Sequence, residues 1–480
     1  MTHRAPNESE ALHFSGTSLW RPPGVQTSFG VGRVDITPPV GIRMRNWGYG
    51  DVDLSTGVHR PLTLTALAIS GRDGSGLRLL ITADLGWWRS VRDESGVRGA
   101  VLEAFGLTAD RVLLHLVHTH AGPSICLDDV DLPGGALVPA YLEQLRSAAV
   151  DACRLAMDDL SPGILVWGHG SSPLAVNRDQ SVDGRVTLGF DPETPADRTL
   201  LVGRLTGEDG RIRATVVNYA CHPTTLGFDN SLLSPDFVGG LRERVEWATG
   251  GAPCLFLQGA SGDLSGPVQY LADPRRADAY GDALGYSVLG VLGSLPPAGT
   301  VLQLVRTVES GAPLALWDEV PGTWPGELGL RQVRVDVQLR DLPSLAELDT
   351  RWADIDPRAR RERLQRSERL QATYGVSGRA PTTAVHHPLW VWRLGDAYVV
   401  AQPGEAYSRL QTELRARHPD KIVIVMNLTN GPGWVYLPPT EAFIVDRYQT
   451  WQTVLRPGAL EALIDEADAL VTELSVGRVG

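Results

Sequence analysis

Residues 28–36 (SFGVGRVDI) alternate apolar and polar positions with the period of two of a half-buried strand, and Pro38 and Pro39 end the run. Two more strand-like runs, 62–69 (LTLTALAI) and 77–85 (LRLLITADL), flank a turn at 71–76. A helix over 93–105 leads to an apolar strand at 112–117. The next helix, 139–160, carries Tyr141, Leu145, Ala148, Ala149, Ala152 and Leu155 at spacings of three and four. Strand 214–219, helix 237–248, buried strand 254–258 and helix 275–295 continue the alternation until Pro296 and Pro297. Residues 300–340 alternate as strands do. Strands at 389–394, 397–401 and 422–427 then alternate with helices at 407–417 and 457–474. This traffic predicts an α/β fold, one large unit of mixed β-sheets flanked by helices.

The first 26 residues are polar and punctuated by proline, so they read as a mobile leader before a folded unit spanning 27–480, with 300–390 as a sub-region. Within it, the run RWADIDPRARRERLQRSERLQ is expected to be a solvated, exposed helical insertion. The chain carries 44 basic against 56 acidic residues, a net charge of −12, which repels phosphate backbones and argues against nucleic acid as a partner. Four cysteines (Cys126, Cys153, Cys221, Cys254) without CxxC spacing fit a reducing compartment. The opening 25 residues lack the apolar stretch of a secretory signal, and no segment reaches the ~18 apolar residues that span a bilayer. The expectation is a cytoplasmic protein with no stable membrane anchor.

Chemistry-bearing residues recur just beyond buried strands. His118 and His120 follow strand 112–117, and residues i and i+2 of an extended chain project to one face. That spacing suits a metal ligand beside a catalytic imidazole, and equally suits packed or surface histidines. His222 ends strand 214–219 in the same way. The small-residue turn 259–266 after strand 254–258 can expose Asp263 and Ser265, where a hydroxyl serves as nucleophile, as substrate donor, or only as part of a turn. Glu405 stands after strand 397–401. Tryptophans near 85–89 and at 390–392 could line an acyl pocket or fill the core.

Together these segments resemble the catalytic domain of the neutral/alkaline (non-lysosomal) ceramidases, zinc-dependent N-acyl-amine hydrolases. VGRVDITP (31–38) is similar to that family's GxGRxDITP start, GVHRPL (57–62) to its GIHxxL, and ADLG (83–86) to its SADLG. HTHAGP (118–123) resembles HTHSGPG, Asn177-Arg178 resembles the NRS segment, and His222-Pro223-Thr224 looks like the second histidine motif. GDLS (262–265) is similar to GDVSPN, Pro403-Gly404-Glu405 to the PGE motif, and Tyr436 begins a YxxT-type stretch with Tyr448 twelve residues on. The order is kept from about residue 29 to 475.

Carried over position by position, the resemblance implies zinc (Zn2+) held by His118, His222, Glu405 and Tyr436. It also implies His120, Arg178 and Tyr448 around the reacting carbonyl, and Asp263 and Ser265 in the pocket wall. A zinc-activated water, with its pKa lowered to about 7, supplies the nucleophile that amides demand, while Ser265 stays open as the alternative. The implied activity is a zinc amidohydrolase; an ester or lactone hydrolase on the same metal, or a binding protein that kept the fold without turnover, are the competing readings. HTHAGPSI, NRDQ and SGDLSGP depart from the family pattern, and those loops are expected to face the substrate. With no secretion signal, no basic-rimmed amphipathic helix and an acidic surface that opposes docking on anionic lipid, the expected substrate is a small-molecule or lipid-like acyl compound, smaller or more polar than long-chain ceramide.

Overall fold

The computed structural model describes residues 18–373, 384–433 and 435–476. Its first half runs β1 (Gly24–Asp35), β2 (Thr63–Ser70), β3 (Arg78–Ala83), α1 (Val91–Phe105), β4 (Val112–Leu116), α2 (Val138–Asp158) and β5 (Ser161–Ser171). Then come β6 (Val176–Val182), β7 (Arg185–Asp191), β8 (Thr199–Gly207), β9 (Ile212–Tyr219), α3 (Phe237–Ala248), β10 (Cys254–Gln258) and α4 (Pro274–Ser294). The second half adds the hairpin β11 (Thr300–Glu309) and β12 (Pro313–Pro321), then β13 (Leu328–Gln338), α5 (Leu345–Arg351) and α6 (Pro357–Thr373). It closes with β14 (Ala384–Leu394), β15 (Ala397–Ala401), α7 (Arg409–Arg417), β16 (Ile422–Met426) and α8 (Ala459–Ser475). Of the expected leader, residues 1–17 lie outside the described residues, while Leu19–Trp20 already pair with β11 and β1 begins at Gly24.

Eight strands form the larger sheet in the order β10-β9-β8-β5-β1-β2-β3-β4. Neighbours are antiparallel except at the two edges, where β9–β10 and β3–β4 are parallel and each pair is joined by a crossover helix, α3 and α1 respectively. The smaller sheet, β13-β14-β15-β16, repeats the device with a parallel last pair bridged by α7.

The mixed pattern along the strands follows from burial on both faces. One face of the larger sheet packs on helices: Ala66, Ile81 and Leu114 meet Val97, Leu145 and Ala149, and Val202, Val217 and Phe256 meet Val238, Leu241 and Leu284. Its other face, with Phe29, Leu67, Leu165 and Leu201, packs on Trp390, Trp392, Val399 and Ile424 of the smaller sheet. Alternate residues of that sheet, such as Val423 and Val425, pack on Leu410, Leu460 and Ile464 of α7 and α8. The result is a helix–sheet–sheet–helix stack, the mixed α/β architecture expected. Close approach of α2 to β1 demands glycine: a methyl group at Gly30 would run into the Ala156 carbonyl oxygen, and one at Gly32 into that of Ala152.

One expectation holds only in part. The run 343–373 is helical and much of it is exposed, but one face of α6 (Ala359, Arg363, Arg366, Leu370) walls a cavity. Those four positions follow the helical period of three and four. Arginines occupy the stripe because their aliphatic stems cover apolar surface while their guanidinium groups reach polar partners. The tryptophans divide in a similar way: Trp87 and Trp88 line that cavity, whereas Trp390 and Trp392 are core between the sheets.

Candidate metal centre

The parallel strand pairs of both sheets deliver their carboxyl ends to one place. The chain beyond β4 provides His118, that beyond β9 His222, that beyond β15 Glu405, and that beyond β16 Tyr436, so the site lies where ligands gather in α/β sheets. Glu405 and Tyr436 sit side by side in a short parallel pairing, Glu405–Ala406 with Tyr436–Leu437.

His118 adopts φ 75°, a left-handed conformation disfavoured for a residue with a side chain, with its backbone N–H donating to Leu85 O at 2.9 Å. The turn it leans on is anchored by Asp84, a fully buried carboxylate gripped by both terminal nitrogens of Arg242 on α3 (2.7 and 2.6 Å) and by Thr63 N (2.7 Å). His118 Nδ1 lies 3.2 Å from Gly86 O, and His222 Nδ1 lies 3.0 Å from Ser261 O. A carbonyl only accepts, so both Nδ1 atoms carry a hydrogen, and Nε2 is the nitrogen left to bear the lone pair whenever the ring is neutral. Those Nε2 atoms face each other at 2.8 Å, with Glu405 Oε2 at 3.2 and 3.3 Å.

Two ring nitrogens and a carboxylate oxygen turned toward one point make a donor set that suits a cation. Burial pulls the His222 pKa down to about 3, with Arg178 and His118 adding to the effect, so this imidazole is the neutral form that ligates metal. His120 is the third imidazole: its ligand atoms and those of His118 and His222 all lie within 4.8 Å of one another, and this group could hold a metal ion. Its ring sits between Trp47 and Trp87, centroids 4.9 Å from each, and both its nitrogens are buried without a hydrogen-bond partner. Burial, then His118 and His222, holds its pKa well below the ordinary value.

Arg178, fully buried on β6, is fixed by Gly262 O (3.1 and 2.8 Å) and donates to the Tyr436 hydroxyl at 3.0 Å. Tyr448 packs edge-on to Tyr436, centroids 5.5 Å apart, and its hydroxyl accepts from Arg366 at 3.1 Å. The cavity above this floor has a volume of about 370 Å³, and its wall includes the aromatic side chains of Trp47, Tyr49, Trp87 and Trp451.

His118, His120, Glu405, Tyr436 and Tyr448 thus line one cavity, with His222 and Arg178 bonded to them from behind. Asp263 and Ser265 sit further back. Asp263 accepts from Ser408 N and Oγ, both at 2.7 Å, at the start of α7. The Ser265 hydroxyl donates to Gly266 O at 3.3 Å and accepts from Gln269 at 2.9 Å. The loops expected to face substrate are corrected likewise: Asp179 is an interior hub for Tyr407, Arg447 and Gln449, and Ser124 bonds the buried Asp129. Their departures from the ceramidase pattern therefore alter packing behind the site. Sequence reasoning missed Trp47, Trp451 and the arginines of α6; only the helical period of the last left a trace.

No family model matches the chain. Among solved structures, neutral ceramidase from Pseudomonas aeruginosa superposes with a TM-score of 0.67 at 16% identity, over 94% of this chain and 75% of that one. A ceramidase complexed with C2 gives 0.66 at 16% identity, over 94% and 76%. Identity this low speaks to architecture alone, and the architecture is that of neutral ceramidase.

Proposed function

We propose that this protein is a zinc-dependent hydrolase of an N-acyl amide, in which R–CO–NH–R′ and water give R–COO⁻ and R′–NH3⁺. The carrying observation is the convergence of two imidazole nitrogens and the Glu405 carboxylate at the floor of an aromatic cavity, within a fold shared with neutral ceramidase. In this reading His118, His222, Glu405 and Tyr436 hold the metal. A bound zinc ion supplies Lewis-acid polarisation of the acyl carbonyl and makes water nucleophilic at neutral pH.

The chain's own residues do the rest. Burial and the neighbouring Glu405 hold the Tyr436 phenol well above its ordinary pKa, so the phenolate that a ligand tyrosine must become depends on a bound cation, and Arg178, donating to its oxygen at 3.0 Å, acts in that same direction. His120 faces the cavity with neither ring nitrogen hydrogen-bonded among the described residues, and in this reading it accepts the proton of the attacking water and passes it to the departing nitrogen, the step an amide needs because an unprotonated amine leaves badly. Tyr448 keeps its own hydroxyl hydrogen for the oxygen that gains charge as the carbonyl becomes tetrahedral. A cavity of about 370 Å³ favours a compact amide over a long-chain lipid. The test is elemental analysis of protein purified without added metal, joined to a panel of amides, esters and lactones assayed with and without a strong chelator. Roughly one zinc per chain and chelator-sensitive turnover of short amides, preferred over long-chain ceramide, are expected. Turnover that survives complete metal removal overturns the reading.

A further inference from the structure

The cavity wall carries a charge balance opposite to that of the chain. Although the protein has a net charge of −12, the cavity is lined by Arg89, Arg363, Arg366 and Arg369 against Glu362 and Glu405. Three of these arginines are engaged. Arg89 and Arg369 share the carboxylate of Asp129 at 2.9 and 3.2 Å, and Arg366 bonds Glu362 at 3.2 Å and the Tyr448 hydroxyl at 3.1 Å. Arg363 has no ion-pair or hydrogen-bond partner among the described residues.

Its guanidinium lies over the rings of Trp352 and Trp451, 5.6 and 5.0 Å from their centroids, and is partly withdrawn from water. Burial acts most strongly against its charge, and among its charged neighbours Asp446 acts in its favour and Arg185 and Arg366 against it. A contact path leads from it to the metal centre: Trp451 packs edge-on to Tyr448 at 5.1 Å, Tyr448 to Tyr436 at 5.5 Å, and Tyr436 pairs with Glu405. A guanidinium placed over two indole rings, partly desolvated and with its donors unused among the described residues, is prepared for a planar anion that can take two parallel hydrogen bonds. Its preorganisation lowers the cost of ordering it on binding.

Resting on the hydrolase reading above, we propose that the substrate is an amide bearing a carboxylate, held by Arg363 while the scissile bond lies at the histidines. The carboxylate belongs to the amine half, as in an N-acyl amino acid, or to the acyl half, as in the monoamide of a dicarboxylic acid. Either satisfies the same cation, and hydrolysis consumes one water in each case.

The experiment compares an N-acyl amino acid and a dicarboxylic monoamide, each with its neutral carboxamide counterpart, on the zinc-loaded wild type and on Arg363→Gln and Arg363→Lys. In the wild type, kcat/KM for at least one carboxylate is expected to exceed that of its carboxamide tenfold or more, mostly through KM. Which carboxylate does so identifies the half that carries it. The ratio should fall toward one in Arg363→Gln and be partly restored in Arg363→Lys. Calorimetric titration of the wild type with the same four compounds reads recognition without turnover, and requires no variant to fold. Equal affinity and equal kcat/KM for both carboxylates and their carboxamides overturn the proposal, as does a ratio unmoved in Arg363→Gln. Selective carboxylate binding without hydrolysis of any amide sustains this inference and sinks the hydrolase reading instead.

Discussion

Ser265 shows how much a single residue's surroundings decide. Its hydroxyl is fully buried, donates to Gly266 O and accepts from Gln269, and no imidazole or carboxylate among the described residues bonds it. A serine nucleophile needs a base within hydrogen-bond reach, and the neutral His120 stands in the cavity instead. Ser265→Ala is therefore expected to retain turnover within about tenfold of wild type, since what it loses is two hydrogen bonds behind the site, each of roughly 1 kcal/mol. Trapping of an acyl-enzyme at this serine in rapid-quench mass spectrometry would refute that. His118, His222 and Glu405 were legible because each follows an apolar strand, whereas Arg178, Tyr436 and Tyr448 came only with the resemblance to ceramidase motifs. The hydrogen bonds that orient them were not, since the Gly86 and Ser261 carbonyls that fix the two histidine tautomers are main-chain atoms that no side-chain pattern reports.

At the scale of elements, apolar runs such as 254–258 and helices such as 237–248 were readable to the residue, because burial on both faces or on one helical stripe writes itself into composition. The cavity-facing side of helix α6 was missed because half-buried arginines occupy it, whose charge outweighs their stems in any count of polarity. The contacts between elements also set a pH dependence. Burial between the sheets depresses His115 to about 3, and burial on β14 depresses His387 to about 4. Both bind protons more readily when unfolded, so each contributes stability that is present above pH 6.5 and is lost as pH falls toward the folded value. Asp236 and Asp263, pushed up to about 6 by burial, act in the opposite sense, adding stability as pH falls from about 6 to 3.8. The opposing slopes are similar in size, so the total is uninformative and the reading must be made on one site. Relative to wild type, His387→Gln is expected to gain stability as pH falls from 6.5 to 4, by up to about 1.4 kcal/mol per pH unit. Urea titrations at half-unit intervals measure it, and a pH-independent difference between the two proteins would contradict it.

On the scale of the whole molecule, the candidate metal ligands come from both sheets. His118 and His222 extend from strands of the larger sheet, Glu405 and Tyr436 from segments that follow strands of the smaller one. A metal at their meeting point would tie the two halves of the stack together just where two ring nitrogens and a carboxylate oxygen face one another. An ion that binds only the folded chain stabilises it by RT ln(1 + [L]/Kd), about 4 kcal/mol at a thousandfold excess over Kd. Stripping metal should therefore lower the unfolding temperature by several degrees, and one equivalent of zinc should restore it. Glu405→Gln supplies the control: a neutral amide is the poorer ligand for a dication, yet it relieves the metal-free site of one negative charge. That variant should lose most of the zinc-dependent shift while its metal-free form melts no lower than metal-free wild type. Scanning calorimetry on the four samples separates the outcomes. A wild-type melting temperature indifferent to metal would mean that the histidines and Glu405 are reconciled by protons instead, and a shift of equal size in Glu405→Gln would remove the carboxylate from the ligand set.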